Sequence, residues 1–142
     1  SLAAVYLKSG DTAKLAPVLI KLAEADPDDL TVRKKLAELA RRAGDHSGVE
    51  RWTQEALHID VRDVEIHSWR AEAMAARGAA DAAAKEYAVA VELDPELPAL
   101  RLAQAQMHLQ ASQPDKARAV LKELLEHEPN DRAAAELLEK IK

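Results

Sequence analysis

Five histidines, at positions 46, 58, 67, 108 and 127, are the side chains with the most obvious capacity for chemistry. A helix offers two histidines to one metal when they stand three or four residues apart, one turn above the other. No two of these histidines have that spacing. Glu123 and His127 do, and a side-chain pair near an exposed helix end accounts for them. Cysteine is absent, which removes thiol nucleophiles, zinc–thiolate sites and disulfides. The chain has no metalloprotease histidine–glutamate run, no phosphate-cradling glycine loop and no nucleophile elbow. Asp28 and Asp29 are adjacent carboxylates, but they open a helix, where they meet unpaired amides and the positive end of the helix dipole. The sequence predicts no catalytic residues, no cofactor and no metal: not an enzyme. His67 and His108 read as packing or groove-edge residues.

What remains is recognition, and composition narrows its kind. Twenty basic residues against 25 acidic ones give a net charge of −5. A general nucleic-acid binder needs a basic stripe to displace phosphate counterions. Stacking is limited too, since Tyr6, Trp52, Trp69 and Tyr87 are the whole aromatic set. No apolar run approaches the roughly 18 residues of a membrane span. Neither nucleic acid nor membrane is expected as a partner. With 48% hydrophobic residues and no Phe, the core must be built from Ala, Leu and Val at close helix contacts.

The elements that position these residues follow from a period. Gly10, Gly44, Gly78 and Ser112 recur at steps of 34, as do Asp26-Pro27, Asp60-Val61, Asp94-Pro95 and Glu128-Pro129. A fixed period of this size marks a helix-turn-helix unit copied and stacked, because one unit cannot bury its own apolar face. B helices are predicted at about 12–25, 46–59, 80–93 and 114–127. Their apolar columns are Leu15/Val49/Ala83/Ala117, Leu19/Thr53/Tyr87/Leu121, Leu22/Ala56/Ala90/Leu124 and Ala23/Leu57/Val91/Leu125, the stripe of a buried helix face. A helices are predicted at about 1–9, 29–43, 63–77 and 97–111, with alanine at 3, 37, 71 and 105 where helices touch closely.

Punctuation agrees. The three glycines supply the left-handed turn that ends an A helix. Ser47 with Glu50 reads as a capping box, and Ser112 or Gln113 as the cap before Pro114. Pro17, about a turn inside a B helix, predicts a late start or a bend. The segment 130–142 has Ala134, Leu137, Leu138 and Ile141 on one face and Arg132, Glu136, Glu139, Lys140 and Lys142 on the rest, a solvating end helix. Nothing comparable caps the other end, where the helical pattern already includes Ser1. The sequence therefore reads as part of a longer chain whose first A helix continues upstream or packs on another chain.

These residues resemble the tetratricopeptide repeat family over essentially the whole chain. The copy 64–97 carries Ala83, Tyr87, Ala90 and Pro95 where the family has Ala, an aromatic, Ala and Pro. The copy 98–131 keeps Ala117 and Pro129, and the copy 30–63 keeps Leu36 and Ala56. Residues 1–29 form a truncated first copy, giving about three and a half repeats in one domain. Arg33, His67 and Arg101 stand where the family's A helices usually carry an aromatic. The resemblance implies an all-α, right-handed superhelical solenoid of antiparallel helix pairs with a concave groove lined by A helices. Mapped here, the groove takes Lys34, Lys35, Glu38, Arg41 and Arg42, then Glu65, Ser68, Trp69 and Glu72, then Leu102, Gln106, Leu109 and Gln110. Glu136 and Leu137 stand at its end.

The family's two-carboxylate clamp would fall on Lys34, Glu38, Trp69, Ala99 and Ala103, of which Lys34 alone fits. One copy earlier, Ala4, Lys35, Glu65 and Trp69 fit no better, and a glutamate facing a ligand carboxylate repels it. The implied function is a protein-interaction module. Its groove is basic at the second A helix, acidic with an aromatic at the third and apolar at the fourth, suited to an amphipathic or acidic peptide anchored by Trp69. The plainer alternative makes the basic residues a solvated face and Trp69 a filler between A helices; Trp52 reads as packing on the outer side. A second class is a regulatory or oligomerising appendage of a larger protein, enzymatic or not, self-associating through its uncapped N-terminal edge. A third is a spacer with no ligand.

Overall fold

The computed structural model describes residues 2–141. Ser1 and Lys142, assigned above to the first A helix and to the charged face of the end helix, lie outside the described residues. The described chain is helical throughout: α1 (Leu2–Ser9), α2 (Thr12–Ala25), α3 (Leu30–Arg42), α4 (His46–Ile59), α5 (Val64–Ala76), α6 (Ala80–Leu93), α7 (Pro98–Gln110), α8 (Pro114–His127) and α9 (Arg132–Ile141). Each helix packs on the next in sequence order, and α3 also meets α5 across the stack. The result is a right-handed superhelix of antiparallel pairs in which α1, α3, α5, α7 and α9 are the A helices.

The turns follow from backbone chemistry. Gly10, Gly44, Gly78 and Ser112 all take positive φ, between 59° and 87°. After Gly44, the Asp45 amide reaches the Ala40 carbonyl (2.9 Å) while the Gly44 amide reaches Arg41 (3.1 Å). Those bonds occupy carbonyls that the helix end leaves unpaired. Ala79 to Met74 and Gln113 to His108 repeat the pattern one and two copies on. Ser112 is the one described non-glycine residue with positive φ, held there by its place in the repeat.

Two caps differ from expectation. Asp45, not Ser47, caps α4: its side chain accepts from the Gly48 amide (3.0 Å). Asp11 does the same for α2, and Asp29, Asp63 and Asp131 cap A helices, each accepting from the amide three residues on. An aspartate reaches that amide with one more bond than serine, and the seat lies at the end of the preceding turn, not two residues inside the helix. Gly48 has its own reason: a methyl there would run into the Asp45 carboxylate and press on Ala40. Gln113 occupies the cap position of α8 but gives it no side-chain bond. Pro17 does not delay α2, which opens at Thr12 and runs through it. Within the helix the proline withholds one amide from the carbonyl four residues back.

The core is the set of columns read above. Leu15, Val49, Ala83 and Ala117 are buried, as are Leu19, Thr53, Tyr87 and Leu121. Thr53, the polar member, gives its hydroxyl to the Val49 carbonyl (2.6 Å) and so enters the core satisfied. Ala37, Ala71 and Ala105 are fully buried. Leu22 departs from its column and is 43% exposed.

Candidate partner-binding groove

The groove between α3 and α5 is built around Trp69, half-buried on α5. On one side lies a hollow of about 450 Å³ lined by Leu30, Thr31, Lys34, Lys35, Glu38, Asp63 and Glu65. On the other lies one of about 300 Å³ lined by Arg41, Arg42, His46, Val49, Glu72 and Ala73. Trp69 borders both. The Lys34 ammonium and Arg41 guanidinium stand 5.9 and 5.8 Å from its ring centre, within cation–π range. A smaller hollow between Leu15, Lys35 and Leu39 repeats this geometry one copy earlier, with Lys35 in the tryptophan's column.

Every basic side chain assigned to this face already holds a carboxylate of the chain itself. Lys34 bonds Asp63 (2.9 Å) and Glu65 (3.2 Å). Arg41 grips Glu72 with two nitrogens (2.8 and 3.2 Å). Lys35 and Arg42 share Glu38 (2.8 and 2.7 Å). The expected basic-to-acidic gradient is therefore cancelled locally, because Lys34 and Arg41 reach acids of α5 and its cap, and Lys35 and Arg42 reach Glu38 on α3 itself. Burial opposes the charge on Lys34, but bonds to Asp63 and Glu65 outweigh it and raise its pKa above the ordinary lysine value. Burial likewise opposes Asp63, and Lys34 with the Ile66 amide outweighs it and lowers the pKa. The Lys35 bond lowers Glu38 further than burial raises it. A carboxylate held below its ordinary value stabilises the fold above that value and loses the contribution as pH falls through the lower, folded one. These fastenings are thus intact near neutrality; the carboxylates release them in acid, and Lys34, its pKa raised, releases its own in strong alkali. Tyr87, buried beneath the groove and facing the charge of Glu72, is pushed up to about 12 and stays a neutral phenol.

The fourth A helix contributes less than its sequence position implied. Leu102 and Leu109 pack, half-buried, on the C-terminal core with Leu137, Leu138 and Ile141. They do not line the hollows beside Trp69. Gln106 and Gln110 are exposed on α7, and Ser68 turns its hydroxyl to the Val64 carbonyl (3.0 Å). Trp52 is buried in the first core cluster with Arg51 over its ring at 4.3 Å, a packing residue as expected.

Sequence reasoning missed a buried polar column. Arg33, His67 and Arg101, which stand where an aromatic was expected, are 8%, 7% and 5% exposed. Arg33 donates to the carbonyls of Ala23 (3.0 Å), Asp26 (2.9 Å) and Asp29 (3.2 Å), and its Nε faces Glu55 at 3.4 Å. His67 meets the Val61 carbonyl and Glu86, and Arg101 meets the Pro95 carbonyl. Each ties the turn behind its A helix to the stack. Arg101 is the least complete, since its buried Nε has no hydrogen-bond partner among the described residues.

Comparison with known proteins bears on the fold. Residues 74–141 match the model of the tetratricopeptide repeat family. No curated protein sequence matches the chain. Among solved structures, MamA is similar with a TM-score of 0.86 at 15% identity, over 99% of this chain and 82% of that one. YrrB, described as having an unusual peptide-binding site, gives 0.77 at 16% identity over 95% and 70%. The first repeat domain of Spaghetti (RPAP3), solved with an HSP90 peptide, gives 0.69 at 19% identity over 82% and 92%. At these identities the likeness is one of fold. Residues 74–141 carry the pattern of the tetratricopeptide repeat family, and the described chain shares the helix-pair superhelix of these solved structures.

Proposed function

We propose that the chain is a protein-interaction module that holds an amphipathic segment of a partner protein against Trp69. The observation that carries this reading is the pair of hollows sharing that one indole. A half-buried aromatic between two recesses is the kind of anchor that concentrates binding energy. The cancelled charges favour an amphipathic occupant over a purely acidic one. A carboxylate arriving at Arg41 must displace Glu72, and one arriving at Lys34 must displace Asp63, so it exchanges one ion pair for another. That some solved relatives in fold carry chaperone peptides supports a peptide as the partner class, without the clamp residues that would select a carboxylate terminus.

Site-directed photo-crosslinking tests the groove. A photoreactive residue at Thr31, exposed at the mouth of the larger hollow, should form adducts with the partner. The same residue at Gln54, exposed on α4, should not. Adducts at Gln54 and none at Thr31 would move the interface off the groove.

A second reading has its own observation. Leu2, Val5 and Leu7 are 55%, 59% and 49% exposed on α1, whereas Leu36, one copy on from Leu2, is 3% exposed. Ala73 and Met107, two and three copies on from Val5, are 2% and 9% exposed. In later copies the preceding B helix covers this face, so self-association or attachment to other protein through α1 is the reading it supports. Light scattering should then show concentration-dependent association that Val5→Glu abolishes; a parent chain monomeric at all concentrations discards self-association.

A further inference from the structure

His67 occupies the column that Arg33 and Arg101 fill in the neighbouring copies, and its ring bonds are unlike theirs. Its Nδ1 lies 2.8 Å from Oε2 of Glu86, on α6, and its Nε2 lies 2.8 Å from the Val61 carbonyl oxygen, in the turn before α5. Both partners are acceptors. A neutral imidazole has one N–H and one lone pair. Whichever nitrogen held the single proton, the other would press its lone pair against an oxygen at hydrogen-bond distance. In a site where the ring is 7% exposed, water does little to relieve that repulsion. An arginine at the same position never meets the difficulty, because it donates from every nitrogen and does not titrate in the accessible range.

We propose that the third repeat is latched by a proton: His67 is held as the imidazolium, donating from both ring nitrogens to Glu86 and Val61, and the seat of α5 loosens as pH rises and the ring gives that proton up. The charged groups that face the ring among the described residues support the cation. Glu86 is its direct partner and is shared with Arg70 of α5, whose Nε lies 3.3 Å from the other carboxylate oxygen. Arg70 is itself drawn away toward the Glu50 carbonyl of α4 (3.1 Å). Asp63, before α5, receives the His67 amide at its backbone carbonyl, and its carboxylate is engaged by Lys34. Without the extra proton Glu86 keeps one cation instead of two, and the Val61 carbonyl or the carboxylate loses its donor. Since α5 also carries Glu65, Trp69 and Glu72, the loosening is felt in the groove wall, whatever occupies it.

The test compares urea unfolding of the whole chain with that of His67→Arg, which installs the residue of the flanking copies. Between about pH 5.5 and about pH 8 histidine is the side chain that changes charge. A ring protonated in the fold contributes most at the acid end and least at the alkaline end, so the parent's unfolding constant should rise about tenfold across the window, the equivalent of one proton-binding unit. His67→Arg should show under a threefold change, the four other histidines being common to both chains. Equal pH dependence in the two chains overturns the latch. A reading that needs no variant is the nitrogen-15 spectrum of the parent's histidine rings near pH 7, about half a unit above the ordinary histidine value. One ring should keep both nitrogens protonated while the others titrate. Five rings losing their protons together would overturn the proposal even if His67→Arg failed to fold.

Discussion

Arg33→Leu should lower the stability of the chain by about 3 kcal/mol, the cost of stranding several buried acceptors together with a lost ion pair. The side chain donates to three carbonyls at the end of α2 and the start of α3, and its Nε faces Glu55 on α4. It thus joins the first helix pair to the second. Stacked repeats unfold as nearest-neighbour units, so the loss should be uneven. Amide exchange should accelerate in α1 and α2 before it does in α7 and α8. Arg33→Lys keeps the charge but not the fork that spans several carbonyls, and should recover less than half of the loss. A urea midpoint for Arg33→Leu within the scatter of the parent, with unchanged slope, would show that the column only fills space.

Trp69→Ala should weaken partner binding about thirtyfold, or about 2 kcal/mol, the loss typical of a central aromatic anchor. Its effect on folding should be smaller, because the indole is half-buried and borders open hollows, unlike the closed core around Leu121. Titration calorimetry with the partner segment checks the first part and thermal unfolding the second. A comparison with Arg41→Ala separates anchoring from charge. That change removes a cation from the ring but leaves Glu72 free, so it should cost affinity for an acidic segment and little for an apolar one. Full affinity in Trp69→Ala would place the partner elsewhere on the surface.

The arrangement of helices was legible because the period, the left-handed turn residues and the alanine columns are all written in side-chain identity. Ser112 could be read as a turn residue because three glycines stood at its step, although serine seldom takes that conformation. The site was legible as a list of residues but not as an electrostatic surface. Lys34 meets Asp63 and Arg41 meets Glu72 at separations of 29 and 31 residues, just short of the period, where the next A helix passes alongside. That signal was present in the sequence: opposite charges nearly one repeat apart on facing helices. The buried Arg33 and His67 column gave less to read, because most of its partners are main-chain carbonyls, and every residue has one. Leu102 and Leu109 are half-buried against the C-terminal core cluster, a placement that their own helix does not announce.

Ala37, Ala71 and Ala105 bring neighbouring helices together through single methyl groups, with no longer side chain between them to tilt or slide. Curvature fixed by such short spacers is stiff: it widens only by opening a void and tightens only by collision. If the groove holds a partner segment as proposed, such a wall acts as a die, not a glove, and the adaptation falls on the guest. A segment that is disordered on its own and takes shape on docking meets that demand. It would bind with favourable enthalpy and an entropic penalty borne almost wholly by the guest.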